Sequence, residues 1–284
     1  MLPIEINGPM IGIFLKELVR RAMEEIQRQR FAFEATQKES YGGTMDDVFT
    51  SADTAAQEIF EKSIREGLPG VGIIGEEKLK VFCTLEGCDA YVTIDPLDGT
   101  KAFVRKQSHG VATMVALVID GEIVSAWIGD VNTMEIFGYR PGSDKVHRLR
   151  ELRAAENLAQ IERDIPPGEQ YILLRESPED FPVTVGRAVR AFKKYHIDGG
   201  SIGTWFARLW KGEYGAAILD PGHETPWDST PFIGISQKLG FVFLKPSGSL
   251  WEIYNPPAVT EVEVRDHHTM VIHRSLANGF IALE

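Results

Sequence analysis

With 284 residues, 43% hydrophobic and 25% charged, the chain has the make-up of an ordinary globular protein, long enough for one large domain or two closely packed halves. Its formal net charge of -11 disfavours contact with nucleic-acid phosphates and with an anionic membrane surface. The same charge would repel a phosphorylated ligand unless bound metal reversed the sign locally.

Ile11, Phe14, Leu15, Leu18, Val19, Ala22 and Ile26 recur at helical spacing among Lys, Arg and Glu, which predicts an amphipathic first helix with a core-facing stripe. Residues 1–14 carry Glu5 and lack a basic stretch before an apolar core, so no secretory signal is expected. No apolar run reaches the roughly 18 residues of a membrane span, and the cytoplasm is the expected compartment. Asp47-Val48-Phe49-Thr50-Ser51-Ala52-Asp53 leads into Ala56, Ile59, Phe60 and Ile64, again at helical spacing. Thr50 or Ser51 is the expected N-cap, and Asp53 falls in the first turn, where an acid ordinarily answers the helix dipole. Pro69-Gly70 closes this region. Residues 71–74 read as a short strand running into Gly75-Glu76-Glu77, by itself an ordinary solvated loop. Cys83 and Cys88 have no second pair to complete a zinc site and are expected as free thiols.

Ala90-Tyr91-Val92-Thr93-Ile94 reads as a buried strand that delivers Asp95-Pro96-Leu97-Asp98-Gly99-Thr100. Pro96 holds Asp95 extended, and Gly99 permits a tight bend with close approach to the backbone. An ordinary Asp/Gly turn is the plain alternative. Yet two carboxylates about 4 Å apart repel by roughly 4 kcal/mol at an effective dielectric of about 20, so a fold that keeps them together is expected to supply a cation. Strands follow over 111–119, over 122–128 after an Asp120-Gly121 hairpin, and over Glu135–Tyr139.

The charged stretch from about 150 to Pro166-Pro167-Gly168 is the expected boundary between an N-terminal α+β half, 1–150, and a C-terminal α/β half, 151–284. Strands are predicted over Tyr171–Leu174, 195–197, 214–219, 241–244, Leu250–Tyr254 and 270–272. Helices are predicted over 183–192, 202–211 and 226–239, the last with Pro231 near its first turn. This alternation implies α/β layers. Gly199-Gly200-Ser201-Ile202-Gly203-Thr204 opens a helix and can present amides to an anion, although glycine turns before helices are common. Asp228 follows Trp227 near the next helix start, where a lone acid is usually a cap. His267 and His268 are expected at the surface, and His109, His196 and His223 have no local partner that argues for acid–base work.

Asp53, Glu76, Asp95, Asp98 and Asp228 all fall at predicted element ends, and hard oxygen donors without His or Cys suit magnesium. In the blocks Asp47 to Asp53, Gly75-Glu76-Glu77, Asp95 to Thr100, Gly200 to Thr204 and Trp227-Asp228, in that order, the chain resembles the inositol monophosphatase superfamily of magnesium-dependent, lithium-sensitive phosphatases. The Asp-x-Asp-Gly-Thr loop of haloacid-dehalogenase-type phosphatases is a poorer match, since its acids stand two apart near the domain start.

The resemblance implies a mixed α+β and α/β fold, a five-layered αβαβα sandwich assembled as a homodimer. It implies two to three Mg2+ per site. Glu76, Asp95 and the Leu97 carbonyl would hold the first ion, Asp95, Asp98 and Asp228 the second, and Glu76 would contribute to a third. Gly99 and Thr100 would offer amides to the phosphate, while Thr100 with Asp53 would help Glu76 activate water. Ser201, Gly203, Thr204 and Asp220 would face the substrate, Asp220 through a hydroxyl. The implied reaction is hydrolysis of a small polyol or sugar phosphate by metal-activated water, without nucleic-acid or membrane partners. Alternatives are a 3′(2′),5′-bisphosphate nucleotidase, a histidinol-phosphate phosphatase, or a non-catalytic metal- or phosphate-binding protein. The chain departs from the family at Lys101, across Asp220 to Pro226 (one residue longer than usual before Asp228), at Ser229-Thr230-Pro231 and at Gln237-Lys238-Leu239-Gly240, which points to divergent specificity.

Overall fold

The first helix, α1 (Gly8–Gln29), starts where Asn7 accepts a hydrogen bond from the Met10 amide, and it buries Ile11, Leu15, Leu18, Val19, Ala22, Met23 and Ile26 along one stripe. The computed structural model describes residues 7–281 other than 42, 46, 78, 79, 85, 86, 88 and 152. Cys83 is a half-buried free thiol, while Cys88 lies outside the described residues.

A two-stranded ribbon, β1 (Ala35–Lys38) and β2 (Asp47–Thr50), precedes α2 (Ser51–Gly67). Then come β3 (Gly72–Gly75), β4 (Lys80–Val81), β5 (Ala90–Asp98), the short α3 (Thr100–Val104), β6 (Ala112–Ile119), β7 (Glu122–Asp130), β8 (Glu135–Tyr139), β9 (His147–Leu149) and β10 (Glu156–Asn157). Strands β3 to β10 form an eight-stranded sheet ordered β10-β9-β8-β7-β6-β5-β3-β4, in which, among the described residues, only β3 and β5 pair in parallel. The chain continues through β11 (Tyr171–Leu174), α4 (Val183–Ala191), β12 (Lys194–Ile197), α5 (Ile202–Trp210), β13 (Ala216–Leu219), β14 (Gly222–Glu224), α6 (Pro226–Lys238), β15 (Phe241–Ser247), β16 (Leu250–Tyr254), β17 (Glu263–Arg265), β18 (Thr269–His273) and α7 (Arg274–Ala277). The second sheet is ordered β12-β11-β13-β18-β15-β16, and β14 pairs with β17 in a separate ribbon.

The layers follow from the two-residue period of the strands. On β6, Val115, Leu117 and Ile119 join α1 and α2 in one core, while Ala112, Met114 and Ala116 face α5 and α6 in a second. On β11, Leu173 enters that second core from the far side, and Ile172 and Leu174 turn outward to α4 and α7 in a third. The result is the expected αβαβα sandwich. Phe206 of α5 stacks on Phe232 of α6 with centroids 4.2 Å apart, and Trp210 donates to Ser236 at 3.0 Å. Full burial of each such large side chain contributes about 1.5–3 kcal/mol.

One expectation is corrected. Pro231 lies inside α6, beyond its first turn, because the helix starts at Pro226 with Thr225 as N-cap. Pro231 therefore removes one helical hydrogen bond, and α6 persists because it is buried between the two sheets.

Candidate active site

Two adjacent parallel strands end side by side. Register pairs Gly75 with Ile94, and the Glu76 amide donates to the Ile94 carbonyl at 3.2 Å, so Glu76 and Asp95 emerge next to each other. Carboxyl ends of parallel strands are where open sheets expose ligand sites. In a regular strand, Asp95 and Asp98 would point to opposite faces. Pairing with β6 slips between these two residues, at Pro96 and Leu97, and this irregularity resets the phase. Oxygens of Asp95, Asp98 and Asp228 consequently lie within 4.8 Å of one another. Asp53, Glu76 and Glu77 form a second such group.

Each acid is held by recognisable local chemistry. Thr50 caps α2, and Asp53 closes the capping box by accepting from the Thr50 amide at 2.8 Å and its hydroxyl at 2.6 Å. The other oxygen of Asp53 reaches the Thr100 hydroxyl at 3.3 Å, and that hydroxyl also lies 3.0 Å from the Leu97 carbonyl. One proton serves two acceptors there. Asp98 accepts from the Ser201 hydroxyl at 2.5 Å and the Ile202 and Gly203 amides at 3.1 and 2.8 Å, which ties the end of β5 to the start of α5. Asp228 accepts from the Thr225 hydroxyl at 2.6 Å. Lys38 on β1 lies 2.8 Å from Glu76, 3.1 Å from Glu77 and 3.9 Å from Asp47. Gly99 has φ +86°, and a Cβ there would sit 2.1 Å from the Gly110 carbonyl oxygen.

Electrostatically the cluster is under-compensated. Burial, followed by repulsion from Glu76, Asp228 and Asp98, holds Asp95 well above the usual carboxylate range. Burial pushes Glu76 up to about 8, with Lys38 opposing and Asp228 and Glu77 reinforcing. Asp98 is pushed up to about 6 by burial and Asp228, against the hydrogen bonds from Ser201, Gly203 and Ile202. Asp53 is also raised to about 6 by burial, against its bonds from Thr50. Lys38 is raised because its carboxylate neighbours outweigh its own burial.

A cleft of about 490 Å³ is lined by Glu76, Asp95, Leu97, Asp98, Gly99, Thr100 and Asp228 together with Tyr41, Lys101 and Arg175. Asp53 stands behind it, fully buried. Ser201 and Gly203 brace Asp98, and Thr204 bonds back to Ser201; none of these three lines the cleft. Asp220 lines a neighbouring recess of about 410 Å³ that shares Asp98, Arg175, His223, Thr225 and Asp228 with the cleft. His267 and His268 are half-buried and partnered rather than freely exposed: His268 lies 3.4 Å from Asp220, and His267 bonds Thr269 and packs on Tyr254. Sequence reasoning gave no role to Lys38, Glu77, Tyr41 or Arg175. Only Glu77 carried a signal, its place beside Glu76.

Fold and site together define a layered αβαβα protein with an oxygen-donor acid cluster fit to hold metal at the ends of parallel strands. The chain belongs to the inositol monophosphatase family, whose sequence model matches residues 11–277. Its fold resembles that of the extragenic suppressor protein suhB of Bartonella henselae (TM-score 0.70, 16% identity, 94% of each chain) and an IMPase of Thermotoga maritima (0.70, 18%, 94% of this chain and 93% of that one). In sequence it is similar to proteins named Nus factor SuhB. The one from Xylella fastidiosa is 33% identical over 110 residues, 38% of each chain. The one from Pseudomonas aeruginosa is 28% identical over 153 residues, 52% of this chain and 53% of the relative. The chain thus spans about a third to a half of the length of these relatives.

Proposed function

We propose that the protein is a magnesium-dependent phosphate monoester hydrolase acting on a small polyol or sugar phosphate. The observation that carries this reading is the Asp95–Asp98–Asp228 cluster, whose oxygens converge within 4.8 Å while Asp95 Oδ1 is buried with no hydrogen-bond partner. A buried, unpartnered carboxylate oxygen among like charges fits a hard cation. Glu76, Asp95 and the Leu97 carbonyl would hold one magnesium, Asp95, Asp98 and Asp228 a second, and Glu76 would share in a third. Lys38 takes one oxygen of Glu76 and leaves the other for this role. When bound, such a pair lowers the pKa of water and neutralises charge on the transferring phosphoryl group.

The chain's own groups do the rest. Gly99 and Thr100 turn the backbone toward the cleft at the start of α3, in reach of a phosphate. The Thr100 hydroxyl, donating to Asp53, keeps a lone pair to orient the attacking water. Glu76, lining the cleft beside Asp95, would accept that water's proton once bound metal has drawn it into its charged form. Asp220, whose Oδ2 is buried without a partner, accepts from a substrate hydroxyl in the recess. A Staphylococcus aureus structure of similar fold (TM-score 0.66, 18% identity) is described as bound to inositol monophosphate, and another (0.68, 17%) to 2′AMP, which keeps nucleotide substrates as the alternative.

The test is phosphate release from inositol phosphates, fructose bisphosphate, adenosine bisphosphate and histidinol phosphate with and without magnesium. Magnesium-dependent turnover of one class is the expected result. The curated relatives bear the name of a Nus factor, and binding of magnesium and phosphate without turnover of any substrate would favour a non-catalytic role instead.

A further inference from the structure

The cleft also has a basic side that the reaction above does not use. Lys101, Arg105, His109 and Arg175 line it together with the acids. Arg175 differs from the others in its setting. It follows the carboxyl end of β11 and lines both the cleft and the recess beside it. Its Nη2 donates to the Gly200 carbonyl at 2.8 Å, and its guanidinium lies 5.7 Å from the Trp205 ring centroid. Its Nη1 is closed off from solvent with no hydrogen-bond partner.

A charged N–H removed from water and left without an acceptor is destabilising, and a carboxylate would be its usual complement. Two of the carboxylates nearby are engaged elsewhere, while Glu176 and Asp220 line the recess without pairing with Arg175. Asp198, on the same cleft, pairs with Arg208 and lies 3.5 Å from His109, and Glu224, in the recess, pairs with Arg265 at 2.7 Å. Among the described residues no carboxylate pairs with Arg175. A planar guanidinium held at one nitrogen and lacking an acceptor at the other suits a phosphate or carboxylate, whose two oxygens match its fork.

We propose that Arg175 binds a second anionic group of the substrate, so that the substrate is a phosphate monoester carrying a further phosphate or carboxylate rather than an uncharged polyol phosphate. The proposal rests on the hydrolase reading and narrows its substrate class. The scissile phosphate sits at the acid cluster, and the second anion reaches Arg175 where the cleft meets the recess. In a chain of net charge -11, a cation at that junction also offsets the repulsion such a substrate meets on entry.

The test uses two substrate pairs whose members differ in the second anion: fructose 1-phosphate with fructose 1,6-bisphosphate, and glycerol 3-phosphate with 3-phosphoglycerate. Magnesium-dependent phosphate release is measured for the full chain, for Arg175→Met, which keeps an apolar stem over Trp205, and for Arg175→Lys, which keeps the charge without the fork. The wild type is expected to prefer the anionic member of one pair by at least tenfold in kcat/KM, through KM, and the pair that responds distinguishes phosphate from carboxylate. That ratio should fall toward one in Arg175→Met and be partly restored in Arg175→Lys. No preference in the wild type, or an equal loss on both members in Arg175→Met, overturns the proposal and leaves the hydrolase reading standing. If none of the four is hydrolysed, the hydrolase reading is judged on the panel above, and calorimetric titration of fructose 1,6-bisphosphate decides the binding role. Tenfold weaker binding by Arg175→Met supports it; equal binding, or none by the wild type, overturns it. Should Arg175→Met fail to fold by circular dichroism, the wild-type ratio and Arg175→Lys carry the same decision.

Discussion

Replacing Asp95 by asparagine keeps the shape of the side chain and removes a charge from the centre of the cluster. Asp95 is 2% exposed, and its oxygen meets those of Asp98 and Asp228 within 4.8 Å. At an effective dielectric of about 20, each fully charged pair at that distance repels by about 3.5 kcal/mol. Protonation limits the penalty, because the raised proton affinity of Asp95 leaves the metal-free cluster partly neutral near pH 7. The relief expected from Asp95→Asn is therefore about 1–2 kcal/mol, or a rise in Tm of roughly 2–6 °C for a chain of this size. Magnesium should reverse the order. At a hundred times its dissociation constant, a ligand that binds only the folded state contributes about 2.7 kcal/mol, and the variant forfeits most of this. Thermal melts with EDTA and with saturating magnesium, run beside phosphate-release assays, give the comparison. An asparagine variant that is less stable than wild type without metal, or that keeps the wild-type magnesium response and turnover, would refute the reasoning.

Two further outcomes follow from the same geometry. Asp53 and Glu76 have folded pKa values of about 6 and 8, above their ordinary values of 3.8 and 4.5, so the folded state holds these protons more tightly than the unfolded one. Their contribution is complete below about pH 4 and is lost as pH rises through 6 and 8; at about 1.4 kcal/mol per unit, Asp53 alone accounts for roughly 3 kcal/mol. Denaturant unfolding of metal-free protein should show stability falling from pH 5 to 8, with magnesium flattening the slope, and a rising metal-free profile would contradict the burial argument. Gly99→Ala forces a side chain into a left-handed backbone 2.1 Å from the Gly110 carbonyl, which itself accepts from the Ser201 amide at 2.9 Å. A loss of about 2–4 kcal/mol is expected from the strained φ and the displaced bond, with turnover falling further, and an unchanged melting curve would show that the loop yields more easily than its packing implies.

What the sequence made legible was whatever local periodicity and capping control. The stripe of α1, the Thr50 cap with Asp53 in the first turn, and the buried run leading to Asp95 all needed only neighbouring residues, and the structure keeps them. The phase slip at Pro96-Leu97 was not legible, since it is a property of the pairing with β6, although it is what turns two acids three apart toward one cleft. Contacts across the fold were hidden for the same reason. Lys38 meets Glu76 and Glu77 only because a short ribbon leans over the ends of β3, and the three-residue strands of the β14–β17 ribbon are too brief to give an alternating pattern. His268 looked like a surface residue because its partner, Asp220, lies far back in the chain. Pro231 was expected near the first turn of the helix from Pro226, but it falls beyond that turn, inside α6, where only burial between the sheets keeps the helix intact.

The hydrogen bonds from Ser201, Ile202 and Gly203 to Asp98 have a bearing on how the protein matures. The cluster needs β5 docked against α5 and α6, and Asp228 is contributed by a helix that follows almost four-fifths of the chain in sequence. A chain still being synthesised therefore cannot complete the Asp95–Asp98–Asp228 cluster until α6 has been made and docked. By then the entropy of closing those long loops has been met by packing, and ion binding is spared that cost. A cation of that cluster would bind a finished scaffold, and its occupancy would be a late mark of correct assembly rather than its cause.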